Sequence, residues 1–177
     1  AMRVPRPALL AALLAPLLLL AAPWPTSAQS AGWSAPFEVS NTARFSWFPD
    51  LAVAADGGVH IVWASGDPDA NAPRDATRSI DLLRYRRLQD GAWLECNDIL
   101  YTGRGGYTVR NSAAAGRDGR LHVLVRMQTR VYVTSAPWDE AWSARAWSEP
   151  QPLTDNVAYY TALAVDQNNA LHALWSE

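Results

Sequence analysis

The sequence predicts an all-β fold, a β-propeller of four-stranded antiparallel blades, and two recurrences predict it. Leu51–Trp63 (LAVAADGGVHIVW), Ala113–Val125 (AAAGRDGRLHVLV) and Leu163–Trp175 (LAVDQNNALHALW) are copies of one segment, each with one of the three histidines, His60, His122 and His172, at the same position. A tryptophan motif at Trp33, Trp93 and Trp147 falls between the copies, at intervals of 60 and 54 residues. Repeats of about this length mark arrays, solenoids and propellers, in which each unit buries its apolar faces against its neighbours.

Before the first repeat, Arg3 and Arg6 precede an apolar run from Ala8 to Ala22, and Thr26-Ser27-Ala28 close it with small residues. A basic start, a short apolar stretch and a small-residue end describe a secretory signal peptide. The run falls short of the roughly 20 apolar residues a membrane span needs. Residues 1–28 are therefore read as a signal peptide and 29–177 as a partial propeller. The protein is expected to be secreted, with no membrane partner after cleavage. Trp33 to Ser40 is expected to be an outermost strand belonging to a blade otherwise missing.

Each histidine segment splits into two short apolar runs around a polar pair, Asp56-Gly57, Asp118-Gly119 or Asn168-Asn169. The tightest hairpin turns need positive φ at both central residues, and Asp, Asn and Gly tolerate it best, so three hairpins with such turns are expected. Their Val, Ile, Leu and Trp content suits strands covered on both faces. A third strand follows at Leu82–Leu88 and at Arg130–Val133. The Trp motif then begins a fourth, after Gln89-Asp90-Gly91-Ala92 in one copy and a longer stretch in the other. From Leu51 the chain supplies two four-stranded units and the first hairpin of a third, about two and a half blades of an expected six.

Composition excludes several functions. The net charge is −2 and all 15 basic residues are arginines. A basic nucleic-acid footprint is absent, and without lysine there is no Schiff base or phosphate-loop lysine. Cys96 is the single cysteine, at a position where the sister motifs carry Pro36 and Pro150, so no internal disulfide is possible. Gly103-Arg104-Gly105-Gly106 lies between strands and lacks the helix start a dinucleotide fingerprint requires. Asp67-Pro68-Asp69-Ala70-Asn71 has the spacing of a calcium loop, yet Ala72 replaces its glycine and Arg78 its terminal glutamate. No cofactor and no metal are expected.

Pro49–Gly57 as P-x-L-A-V-x-x-D-G, the following V-H-I-V-W, and the D-G-x-W turn at Asp90–Trp93 together resemble the sialidase-like superfamily of β-propellers, whose units carry the bacterial neuraminidase repeat or Asp-box. The resemblance spans Trp33–Glu177. Of the Asp-box pattern Ser-x-Asp-x-Gly-x-Thr-Trp, Asp90, Gly91 and Trp93 survive with compressed spacing, and Trp138–Trp147 lacks the glycine. The resemblance implies a first-blade aromatic-Arg-aliphatic-Pro motif whose arginine binds a substrate carboxylate bidentately. Here Ser46-Trp47-Phe48-Pro49 stand at those positions, with Trp47 in place of the arginine. The Tyr nucleophile and its Glu partner would lie mostly beyond residue 177.

The histidines are read as structural, each packed between blades, because equivalent positions on rotated blades keep the rings apart. The functional surface is expected where the loops entering each blade converge. Arg44, Trp47, Tyr107, Arg110, Tyr159 and Tyr160 are the ligand-binding candidates, since aromatic faces pack on sugar C–H groups while arginine bonds hydroxyls. No catalytic residue is assigned. Asp50, Asp67 and Asp155 are the nearby acids, and glycoside hydrolysis would need two of them flanking one bond. The leading expectation is recognition of a cell-surface glycan. The alternatives are a sialidase-like glycoside hydrolase and a scaffold without a small ligand.

Overall fold

The computed structural model describes residues 32, 35–40, 45–67, 80–104 and 110–177. Contacts divide the chain into two units, Ala1–Phe37 and Glu38–Glu177. In the first, the described residues form no strand or helix. The second is all-β and antiparallel, as the repeats require.

The first blade consists of β1 (Phe45–Val53), β2 (Val59–Asp67) and β3 (Ile80–Gln89), with its fourth place shared by β4 (Ala92–Trp93) and β5 (Asn97–Arg104). The second runs β6 (Asn111–Ala115), β7 (Arg120–Met127), β8 (Arg130–Pro137) and β9 (Gln151–Pro152), with a 3-10 turn at Ala144–Ala146 before the last strand. The third is the hairpin of β10 (Thr161–Val165) and β11 (Leu171–Trp175). The first strands are neighbours: β6 lies beside both β1 and β10, as inner strands around a propeller axis do. Residues 35–40 form no strand, and Val39 instead accepts a hydrogen bond from Arg86 Nη1 at 2.7 Å.

Register confirms the repeat. His60 lies opposite Ala52, His122 opposite Ala114 and His172 opposite Ala164. Turn chemistry differs from expectation at these hairpins. Of each polar pair only Gly57, Gly119 and Asn169 have positive φ. In the first copy Gly57 N donates to Ala54 O at 3.0 Å, and Asp56 Oδ1 accepts from Gly58 N at 2.9 Å. The loop is thus a turn closed by one left-handed residue, with the Asp side chain as its internal acceptor. The two-residue turn with both φ positive occurs between β3 and β4, at Asp90 (51°) and Gly91 (77°).

The alternating side chains of each sheet give it two unlike faces. Ala52, Val62, Leu83 and Tyr85 of the first blade pack on Ala113, Leu121, Val123 and Val125 of the second. Leu124 and Val131 on the second blade's other face pack on Leu163, Ala173 and Trp175 of the third. Burying one such side chain contributes about 1.5–3 kcal/mol. The histidine side of each sheet is therefore the side that receives the next one. His60 is fully buried and His122 is 8% exposed, whereas the His172 side of the third hairpin is uncovered. Coverage of both strand faces, expected of all the histidine segments, holds for β7 and fails for β11.

His60 Nδ1 shares a 2.8 Å hydrogen bond with the Tyr85 hydroxyl, and its Nε2 is buried without a partner among the described residues. Burial, reinforced by the nearby Arg87 guanidinium, lowers the His60 pKa to about 4. Burial likewise raises that of Tyr85. The folded chain thus keeps a neutral imidazole while the unfolded chain protonates near pH 6.5, so stability falls as pH drops from about 6.5 towards 4. His60→Gln should be less stable than wild type at pH 7, and the gap should narrow by about 2 kcal/mol at pH 4.5. Urea unfolding at the two pH values checks this, since a gap independent of pH would mean that His60 does not titrate as described.

Candidate functional site

The site grows from an irregularity at the start of β1. Register slips between Trp47, opposite Ala64, and Asp50, opposite Val62, so one extra residue is accommodated. Phe48 takes the strain with φ of 50° immediately before Pro49. Such a bulge re-aims side chains at a strand's end, and here Phe48 projects towards the second blade.

Arg110 comes to meet it. Its carbonyl accepts from Arg126 N at 2.9 Å, which extends the β6–β7 pairing by one residue. Its guanidinium carbon lies 3.7 Å over the Phe48 ring and 4.6 Å over the Tyr160 ring. Both are within cation–π range. Tyr160 is placed by its carbonyl, which accepts from Ser176 N, and by its N–H, which donates to Ser176 Oγ, while the Ser176 carbonyl accepts from Tyr159 N. Tyr159 in turn lies beneath Arg126, at 5.3 Å. Side chains from three successive blades thus alternate aromatic and cationic.

An open groove of about 390 Å³ runs along this stack, lined by Phe48, Asp50, Arg110, Ser112, Tyr160 and Leu163. Tyr160 is 63% exposed and Phe48 40% exposed, so ring surface is presented to solvent. A guanidinium hydrogen-bonds in its own plane, so ring packing on its face is compatible with bonding at its edge.

Among the described residues Asp50 is the one acid in this lining, and it is already engaged. Its Oδ1 accepts from Leu51 N at 2.9 Å and its Oδ2 from Ala113 N, on the next blade, at 2.8 Å. At the equivalent position of the second blade, Ser112 Oγ donates to Thr161 O at 2.8 Å on the third. Asp155 lies apart, paired with Arg130 at 3.4 Å, and nothing is described for the side chain of Asp67.

Of the six sequence-predicted residues, the structure brings Arg110, Tyr159 and Tyr160 together. Trp47 is elsewhere, stacked on Phe45 at 5.7 Å and lining an apolar pocket with Ile61 and Trp63. Arg44 and Tyr107 lie outside the described residues, as does the calcium-like stretch at 68–71. Sequence reasoning missed Phe48 and Arg126. An aromatic directly before Pro49 at a blade entry was the available signal for the first. Arg126 had none, being an arginine at the end of an ordinary strand.

No family model matches the sequence, and no curated protein matches it. Among solved structures the chain is similar to a Hadza microbial sialidase, Hz136, with 11% identity and a TM-score of 0.48 over 75% of this chain. The match covers 35% of that protein, so the chain spans well under half its length. At that identity and score the likeness bears on neither ligand nor activity.

If Asp50 ties two blades, Asp50→Ala should leave the Ala113 N–H without its partner and lower stability by about 1–2 kcal/mol. Chemical denaturation measures this directly. Unchanged stability would remove the structural role and return Asp50 to the set of candidate catalytic acids.

Proposed function

We propose that this chain is part of an exported, sialidase-like β-propeller that binds a glycan in the groove over its inner strands. The Phe48–Arg110–Tyr160 stack carries the reading: a cation packed on two rings that remain solvent-accessible at the mouth of an open groove. Pockets for small ligands combine apolar and aromatic walls with a few placed polar groups, and sugars suit that mixture. Ring faces take the C–H side of a pyranose, while the arginine edge takes its oxygens.

Export rests on the leader-like residues 1–28, and membership of the superfamily on Pro49–Gly57 and Asp90–Trp93. Completion by further blades, to about six, is supported by the uncovered apolar residues at the two ends of the arc. Leu51 and Val53 are exposed on the first sheet and Leu174 on the third, on faces equivalent to those the blades bury against one another. Binding is favoured over hydrolysis because Asp50, the groove's single acid among the described residues, already accepts two backbone hydrogen bonds.

A glycan array followed by calorimetric titration of the best ligand tests the reading. Arg110→Ala and Tyr160→Ala should each weaken binding roughly tenfold or more, the scale of losing one anchoring contact, while the chain still folds and melts only a few degrees lower for the lost cation–π contacts. Trp47→Ala should bind as wild type. Wild-type affinity in both groove variants would refute the site, and release of sialic acid from a reporter substrate would refute a binding-only role.

A further inference from the structure

We propose that the β6–β7 turn of the second blade is a divalent-cation site formed by His122, Asp118 and Asn169 over the bare Cα of Gly116. The three donors come from two adjacent turns. A Cβ placed on Gly116 would lie 2.3 Å from Asp118 Oδ1, 3.1 Å from Asn169 Oδ1 and 3.1 Å from His122 Nε2. Three donor atoms of metal-ligand type thus face one point next to a residue with no side chain to fill it.

His122 supplies the observation that points to a ligand. The residue is 8% exposed, and its Nε2 is buried without a hydrogen-bond partner among the described residues. Asp118 Oδ1 lies 3.8 Å away, too far for a hydrogen bond. Two ligands of a tetrahedral ion, each about 2.0–2.2 Å from it, stand roughly 3.4 Å apart, so the pair closes by a few tenths of an ångström around one. Asn169 is held in place: it sits at φ of 64° and its Oδ1 accepts from Arg117 N at 2.6 Å, leaving the second lone pair of that oxygen. Among the described residues no cluster of three His, Cys, Asp or Glu exists, so the third ligand here is an amide oxygen.

The sister repeats show what is particular to this turn. In the first blade Ala54 takes the place of Gly116, and Asp56 is bound by Arg87 at 2.5 Å. In the third, Asp166 occupies that place and contacts His172 directly at 3.2 Å. In the second blade alone of the three, acid and imidazole stand apart with a glycine between them. Imidazole nitrogen with two oxygens suits Zn²⁺ better than Ca²⁺ or Mg²⁺, and three protein ligands leave a position for water.

Zn²⁺ titration of the whole chain at pH 7, by calorimetry and by metal analysis after desalting, tests this. One ion per chain is expected. His122→Gln and Gly116→Ala should each weaken binding at least roughly tenfold, the first by removing a ligand and the second by filling the cradle. A methyl group at 116 must push the Asp118 carboxylate aside, so thermal melting of Gly116→Ala checks folding independently of the metal. His172→Gln should bind as wild type, which separates this site from the exposed His172–Asp166 pair. No uptake by wild type, wild-type affinity in Gly116→Ala, or loss confined to His172→Gln would each overturn the proposal.

Discussion

The arrangement depends on how the innermost strands are tied across blades. An inner strand has one edge in its own sheet's ladder and the other facing the axis, where backbone groups would otherwise go unpaired. Asp50 Oδ2 takes Ala113 N at 2.8 Å, and at the same register position one blade later Ser112 Oγ reaches Thr161 O at 2.8 Å. These links use different chemistry, an acceptor in one blade and a donor in the next. They do the same thing: each holds the start of one inner strand against its neighbour. The chain has no disulfide and its sheets pack through apolar faces, which specify direction poorly. The polar ties supply the missing specification, and they bring the entries of β1, β6 and β10 close enough for Phe48, Arg110 and Tyr160 to stack.

The alanine opposite each histidine belongs to the same economy of space. Inner strands converge towards the axis, so the residues there must be small: Ala52, Ala114 and Ala164. The bulk needed to fill the gap between sheets is carried one strand further out by the imidazole. A polar ring in that position then needs an answer, and each blade gives its own. Tyr85 hydrogen-bonds His60, Asp166 contacts the exposed His172, and His122 faces Asp118 across 3.8 Å. Asp166 is itself held below the usual carboxylate range, chiefly by the Ala170 N–H and then by His172. The shared residue type conceals three different electrostatic environments.

That distinction marks how far the sequence could be read. The hairpins were legible because their signal is redundant: alternation, a polar turn and a histidine recur together. Turn type was less so, since Asp56-Gly57 and Asp90-Gly91 are the same dipeptide and adopt different turns. The difference lies in how the flanking strands are spaced, which two residues do not encode. The geometry of the first blade's entry was not legible for a related reason. Residues before proline favour extended backbone, which gives no sign of a left-handed Phe48. The single extra residue between Trp47 and Asp50 re-aims the chain and puts Phe48 at the mouth of the groove. The positions of Arg110 and Tyr160 at the blade entries were legible because their strands enter without a bulge.

The strain at Phe48 then becomes the most informative detail of the groove. A bulky residue held at positive φ costs on the order of 1–3 kcal/mol and persists only where its surroundings over-determine it. Contact with Arg110 returns about 0.5–2 kcal/mol, less than the upper end of that cost. The remainder is supplied two residues further on, where Asp50 locks the strand to the next blade. Packing alone offers no reason for the arrangement, because an unbulged strand would avoid the cost and still bury Ala52 against the second blade. What the bulge adds is a ring beside Arg110 at the rim of the groove. The chain spends stability at the one point where doing so builds the aromatic and cationic surface.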